Sequence, residues 1–164
     1  MRRLTFFPTK KNSLNYWASF KNPLILTRNF LIIEFCKYAP SMSVKRVFLR
    51  LTGMKIGKDT SIALGVQFDI FFPENIVIGD NTIIGYGATI LAHEFLVNGL
   101  KKGSVKIGSN VLIGANSTVL AGVEIKDGAT ISAMSLVNKD VCAGHFMGGV
   151  PARKLKINKN SPKR

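Results

Sequence analysis

From Ile107 onward every sixth residue of the chain is isoleucine or valine: Ile107, Ile113, Val119, Ile125, Ile131 and Val137. Two residues before each of these the side chain is small or β-branched, at Val105, Val111, Ser117, Val123, Ala129 and Ser135. The theme occurs earlier with Ile56, Ile62 and Phe68, and again with Ile78, Ile84 and Ile90, and glycine follows several of the repeat isoleucines. An amphipathic helix needs apolar spacings of three and four, and a half-buried strand needs alternation, so a period of six fits neither. It fits a solenoid in which each hexapeptide forms one flat side of a three-sided coil, the aliphatic residue points into the axis and the small residue occupies the corner. This pattern predicts an incomplete coil near 56–73, a second near 78–93 and two fuller coils between 107 and 142. Stacking lets each coil bury its neighbour's apolar surface, and the open first coil calls for a cap.

The segment ahead of the repeats supplies one. "NPLILTRNFLIIEFCKYAP", from Asn22 to Pro40, is apolar but broken by Arg28, Asn29 and Glu34, and so lacks the long uncharged run of a spanning helix. Pro23 suits a helix start and Pro40 a stop, and "SMSVKRVFLRLTGM" predicts a second helix. Residues 1–53 are therefore expected to form a helical cap, 54–157 the repeat domain and 158–164 a basic tail. The cap has two expected placements: packed on the repeats or a neighbouring subunit, or lying on an anionic membrane with Arg2, Arg3, Lys10 and Lys11 near the lipid headgroups. With every donor motif downstream of Thr52, the cap is expected to be dispensable for donor binding.

Composition narrows the partners. Of 164 residues, 46% are hydrophobic, which argues against wholesale disorder, and 23 Lys and Arg against 9 Asp and Glu give a formal charge of +14 that favours anionic partners. No base-stacking or groove-reading motif accompanies that charge, so no nucleic-acid partner is expected. Two cysteines, Cys36 and Cys142, with no leading signal peptide, point to free thiols in a reducing cytoplasm, with peripheral contact at the inner membrane face as the membrane reading. The two histidines, His93 and His145, sit in no cluster with metal-ligand spacing, so no metal is expected.

In order after a histidine-bearing interruption, "ILAHEF" and "LVNGLKKGS", come "IGAN", "ISAMS", "VNKDV" and "GGVPAR". Over residues 54–157 this chain resembles the hexapeptide-repeat acyltransferases, particularly the branch with galactoside, maltose and xenobiotic acetyltransferases. The resemblance implies a mainly β fold, a left-handed parallel β-helix, a homotrimer, acetyl-CoA or another acyl-CoA as donor, and active sites between adjacent subunits. It matches His93 to the general base beside an extruded loop, and Ala115, Ala133, Asn138, Lys139 and Arg153 to donor-binding positions. The alanines would leave room for the pantetheine arm, while Lys139 and Arg153 would meet phosphates. Asp69, at a break between coils, is expected to contact the acceptor or cap a turn, and Glu94 to orient the imidazole or stand solvated. The chain departs from many relatives in carrying Lys126, Ser132 and Met134 where they have glycine and Cys142 where they have proline, and Met134 bears most on the pantetheine path. The expected reaction is acyl transfer to a hydroxyl or amine of a sugar-like or envelope-related acceptor; the competing expectation is a basic, membrane-associated scaffold of the same fold without catalysis.

Overall fold

The computed structural model describes residues 2–156; the tail expected at 158–164 lies outside the described residues. The segment ahead of the repeats begins with a strand, β1 (Thr5–Pro8), followed by a single helical turn, α1 (Trp17–Phe20), and two longer helices, α2 (Pro23–Tyr38) and α3 (Met42–Leu51). Local chemistry sets the helix ends. Asn22 accepts from the Leu24 N–H at 2.9 Å with Pro23 in the first helical position, and Ser41 accepts from the Val44 N–H to start α3 just beyond Pro40.

The repeats form short strands because each hexapeptide must also turn a corner. The first coil comprises β2 (Lys55–Ile56), β3 (Ser61–Ile62) and β4 (Gln67–Phe68), and the second β5 (Ile76–Ile78), β6 (Ile83–Ile84) and β7 (Thr89–Ile90). A hairpin of β8 (His93–Leu96) and β9 (Gly99–Lys102) then leaves the stack. The third coil is β10 (Val105–Ile107), β11 (Leu112–Ile113) and β12 (Thr118–Val119), and the fourth β13 (Glu124–Ile125), β14 (Thr130–Ile131) and β15 (Leu136–Val137). Two strands, β16 (Phe146–Gly148) and β17 (Arg153–Lys154), finish the described chain against β14.

Corresponding strands pair in parallel, giving three sheets along the stack: β2-β5-β10-β13, β3-β6-β11-β14 and β4-β7-β12-β15. The register keeps the repeat residues in columns, Ile56 on Ile78 on Ile107 on Ile125, and likewise for the other two sides. All six repeat residues from Ile107 to Val137 are at most 1% exposed, and their corner partners at most 2%. The first coil differs from expectation: it is complete, with one strand in each sheet.

A parallel stack ends in unpaired backbone groups, and α2 and α3 satisfy them with side chains. Lys45, fully buried, donates from Nζ to the carbonyls of Ile62 and Ala63, each at 2.9 Å; Arg46 donates to Thr60 O at 3.0 Å, Arg50 to Ile56 O at 2.6 Å, and Asn29 to Ile70 O at 3.0 Å. Burial pushes the Lys45 ammonium below its ordinary pKa, with the neighbouring Cys36 thiol acting in the opposite direction. Much of the positive charge on α3 is thus spent on carbonyls of the first coil. Arg2 and Arg3, expected near lipid headgroups, are engaged within the protein: Arg2 pairs with Glu94, and Arg3 with Asp140 at 3.1 Å and Glu124 at 3.4 Å. The outer face of α2 leaves Leu24, Leu31, Phe35 and Tyr38 exposed, and among the described residues no helix is long and apolar enough to cross a membrane.

Candidate active site

The hairpin that interrupts the solenoid is widened by the N-terminus. β1 pairs antiparallel with β9, making a three-stranded sheet β1-β9-β8 whose cross-strand rows are Thr5-Lys102-His93, Phe6-Lys101-Glu94 and Phe7-Leu100-Phe95. Successive residues of a strand face opposite sides, so His93, Phe95, Leu100, Lys102, Thr5 and Phe7 share one face, and Glu94 lies on the other. Glu94 therefore cannot orient His93. It pairs with Arg2 on the far side.

The carboxylate that does hold the imidazole is Asp69. Its Oδ2 lies 2.5 Å from His93 Nδ1 and accepts from the Ala92 N–H at 2.7 Å, while Oδ1 accepts from the Phe71 and Phe72 N–H groups at 2.9 Å each. The Asp69 side chain is 0% exposed and that of His93 14%. Asp69 thus sits behind the imidazole and caps the turn after β4, so the contact with an acceptor expected of it is sterically closed. With Nδ1 committed to a carboxylate acceptor, the ring carries its proton there and Nε2 holds the free lone pair. Phe71, Phe72 and Phe95 surround the ring, with centroids 5.0, 5.6 and 4.9 Å from that of His93. This aromatic wall was not read from the sequence, although "DIFFPEN" and "HEF" carry it. Among the described residues no three histidines, cysteines or carboxylates cluster as metal ligands.

The bacterial transferase hexapeptide (six repeats) family matches residues 104–139. YvoF of Bacillus subtilis (strain 168), a protein named provisionally as an acetyltransferase, is 49% identical over 134 residues, covering 79% of this chain and 76% of that protein. The chain belongs to the hexapeptide-repeat acetyltransferases. Among solved structures, a hexapeptide-repeat acetyltransferase of Vibrio cholerae O1 biovar eltor, complexed with acetyl coenzyme A, superposes with a TM-score of 0.70 at 20% identity, covering 84% of this chain and 88% of that one. A maltose O-acetyltransferase from Clostridium difficile 630 gives 0.64 at 20% identity, covering 85% and 89%.

In this hexapeptide-repeat acetyltransferase the positions expected to meet the donor fall at two corners. Ala115 and Ala133 stand one coil apart where β12 and β15 begin, tied by the Met134 N–H donating to Ala115 O at 2.9 Å. Gly114 has no space for a Cβ against the Ser132–Ala133 backbone, which explains the glycine of "IGAN". Asn138 and Lys139 follow β15 at the opposite edge of that sheet, the edge from which the chain leaves β7 for His93. Lys139 and Arg153 are exposed, and Arg153 lies on β17. Within one chain these residues do not converge on His93: β12 separates β15 from β7, and the alanines occupy the far edge. Met134 adopts φ of 58°, the left-handed conformation that favours glycine, and its side chain projects into solvent. His145 contacts Lys154 at 3.2 Å, beyond the fourth coil.

Proposed function

We propose that this acetyltransferase moves an acetyl group from acetyl-CoA to a hydroxyl or amine of a sugar-like or envelope-related acceptor, with His93 as general base. The observation that carries the reading is the imidazole held at Nδ1 by the buried Asp69, which leaves Nε2 to take a proton. As the acceptor oxygen or nitrogen attacks the thioester carbonyl, its proton passes to Nε2. Collapse of the tetrahedral intermediate breaks the C–S bond, and the departing thiolate recovers that proton from the imidazolium. The products are the acetylated acceptor and free CoA. Asp69 accepts from the Nδ1–H throughout and so stabilises the imidazolium. A positioned base contributes on the order of a hundred- to ten-thousand-fold, and holding the two substrates together contributes as much or more.

Ala115, Ala133, Asn138, Lys139 and Arg153 are the donor-binding residues in this reading, and the coil is left-handed. Their separation from His93 in one chain supports a homotrimer in which the donor groove of one subunit meets the hairpin of the next. The likeness to a maltose O-acetyltransferase supports a sugar-like acceptor. A panel of soluble and lipid-linked acceptors, supplied with acetyl-CoA and followed by release of free thiol, tests the reaction; no acceptor-dependent thiol release from any of them overturns it. The exposed apolar face of α2 supports a peripheral contact of the cap with an anionic membrane surface. Co-sedimentation with acidic vesicles at low and high salt tests that contact.

A further inference from the structure

We infer that the acceptor carries a phosphate-like dianion and that Lys102 holds it. This rests on the transferase reading of His93 and names the substrate class for that site. Lys102 stands directly across the hairpin from His93, on the same face, so their Cβ atoms are about 4.5–5.5 Å apart. Its Nζ lies 4.7 Å from the centroid of Phe72 and 5.6 Å from that of Phe7. The Phe72 ring also packs edge-on against His93, so one aromatic side chain touches both the base and the cation.

Two recesses meet at Lys102. One, of about 320 Å³, is lined with Arg3, Asn75, Ser104 and Lys106, and no carboxylate lines it. The other, of about 230 Å³, is lined with Phe7, Phe20, Phe72 and Leu100. Asp140 and Glu124 offset the charge of Arg3. Among the described residues, neither Lys102 nor Lys106 forms an ion pair; Glu124 stands beside Lys106 in register, so Lys102 is the ammonium of this recess that has no carboxylate partner. An ammonium held against two aromatic rings loses hydration that only an anion restores well, and a neutral sugar offers none. Lys102 and Lys106 together, with the Ser104 hydroxyl and Asn75 amide beside them, suit a dianion with several acceptor oxygens better than a single carboxylate. The adjoining aromatic recess accommodates an apolar portion of the same molecule. The acceptor class is therefore a hydroxyl- or amine-bearing phosphate monoester with an apolar group near the phosphate.

Phenyl phosphate tests this directly, titrated by calorimetry at pH 8 into the full-length protein saturated with CoA, beside benzyl alcohol as a neutral probe and benzoate as a monoanion. Phenyl phosphate is expected to bind, benzoate more weakly and benzyl alcohol not measurably. Lys102→Met, which keeps the stem over the rings, is expected to weaken phenyl phosphate roughly ten- to a hundredfold, the range of a hydrogen bond to a charged group. Lys101→Met, on the opposite face, is expected to change it less than about twofold, a contrast that excludes loss of net charge as the cause. Melting temperatures confirm that both variants fold. The inference is overturned if phenyl phosphate fails to bind with CoA present, if benzoate binds as tightly, if Lys101→Met weakens binding as much as Lys102→Met, or if Lys102→Met weakens CoA itself. Should it fail while His93-dependent thiol release persists with neutral acceptors, the transferase reading stands; loss of that release with phosphate still bound is the converse failure.

Discussion

Asp69→Asn removes one acceptor from a side chain that serves four donors, and in the proposed mechanism the imidazole is the donor whose partner matters to turnover. The amide nitrogen that replaces Oδ2 can no longer accept from Nδ1–H, so the ring loses its fixed tautomer and its stabilising charge. We expect kcat to fall roughly ten- to a hundredfold with acetyl-CoA affinity unchanged, because a hydrogen bond to a charged group carries energy of that order. His93→Ala is expected to lower kcat on the order of a hundred- to ten-thousand-fold, again with the donor still bound. Steady-state rates and calorimetry on the two variants check both, and wild-type turnover in His93→Ala ends the assignment. His93 was singled out in the sequence by the family resemblance, which places the proposed base beside the loop that breaks the period. Asp69 was named for contact with an acceptor or for capping its turn; its pairing with the imidazole was hidden, because it lies 24 residues earlier and reaches the ring only through the stacking of one coil on the next. Glu94 was a misleading neighbour: adjacency in sequence puts two strand residues on opposite faces.

Lys45 is the element-scale counterpart, one side chain that closes the end of a sheet. Lys45→Met leaves the Ile62 and Ala63 carbonyls without their donor, and we expect a loss of about 1–3 kcal/mol, read as a lower melting temperature and faster amide exchange in α3. The folded-state pKa of Lys45 lies below the ordinary 10.5 of the unfolded chain. Below both values it is charged in either state and the burial cost is present in full; as pH rises through the folded value toward 10.5 the folded chain sheds its proton first and that cost is relieved. Wild-type stability should therefore gain on that of Lys45→Met across this window, and parallel melting curves against pH would refute the assignment. The helices themselves were legible from Pro23, Pro40 and their caps. The use of their cations was not, since a run such as "VKRVFLR" looks the same whether it faces lipid headgroups or the carbonyl edge of a coil. "TFFP" as a strand was equally hidden, because its partner, β9, is near the middle of the chain.

At the scale of the whole molecule, the hexad period made the stack legible, while the proposed meeting of donor and base across a subunit boundary is not written in the spacing of one chain. Light scattering is expected to report a trimer, and a stable monomer with full activity would refute the shared site. Removal of residues 2–8 is expected to spare acetyl-CoA binding but raise KM for the acceptor and lower kcat, since β1 forms the edge of the sheet that presents His93; calorimetry beside initial rates measures both, and unchanged acceptor kinetics would show the arm to be idle. That arm also couples distant parts of the chain. Its contacts include Gly99–Lys102, the Gly122 carbonyl and Asp140, the last 137 residues away from Arg3, so it straps the hairpin to the coils that follow. The pairing of Thr5–Pro8 with β9 holds one end of the strap, and the Arg3 ion pair with Asp140 holds the other. A disturbance of the last coil thereby has a route to the sheet beside His93 that bypasses the intervening stack.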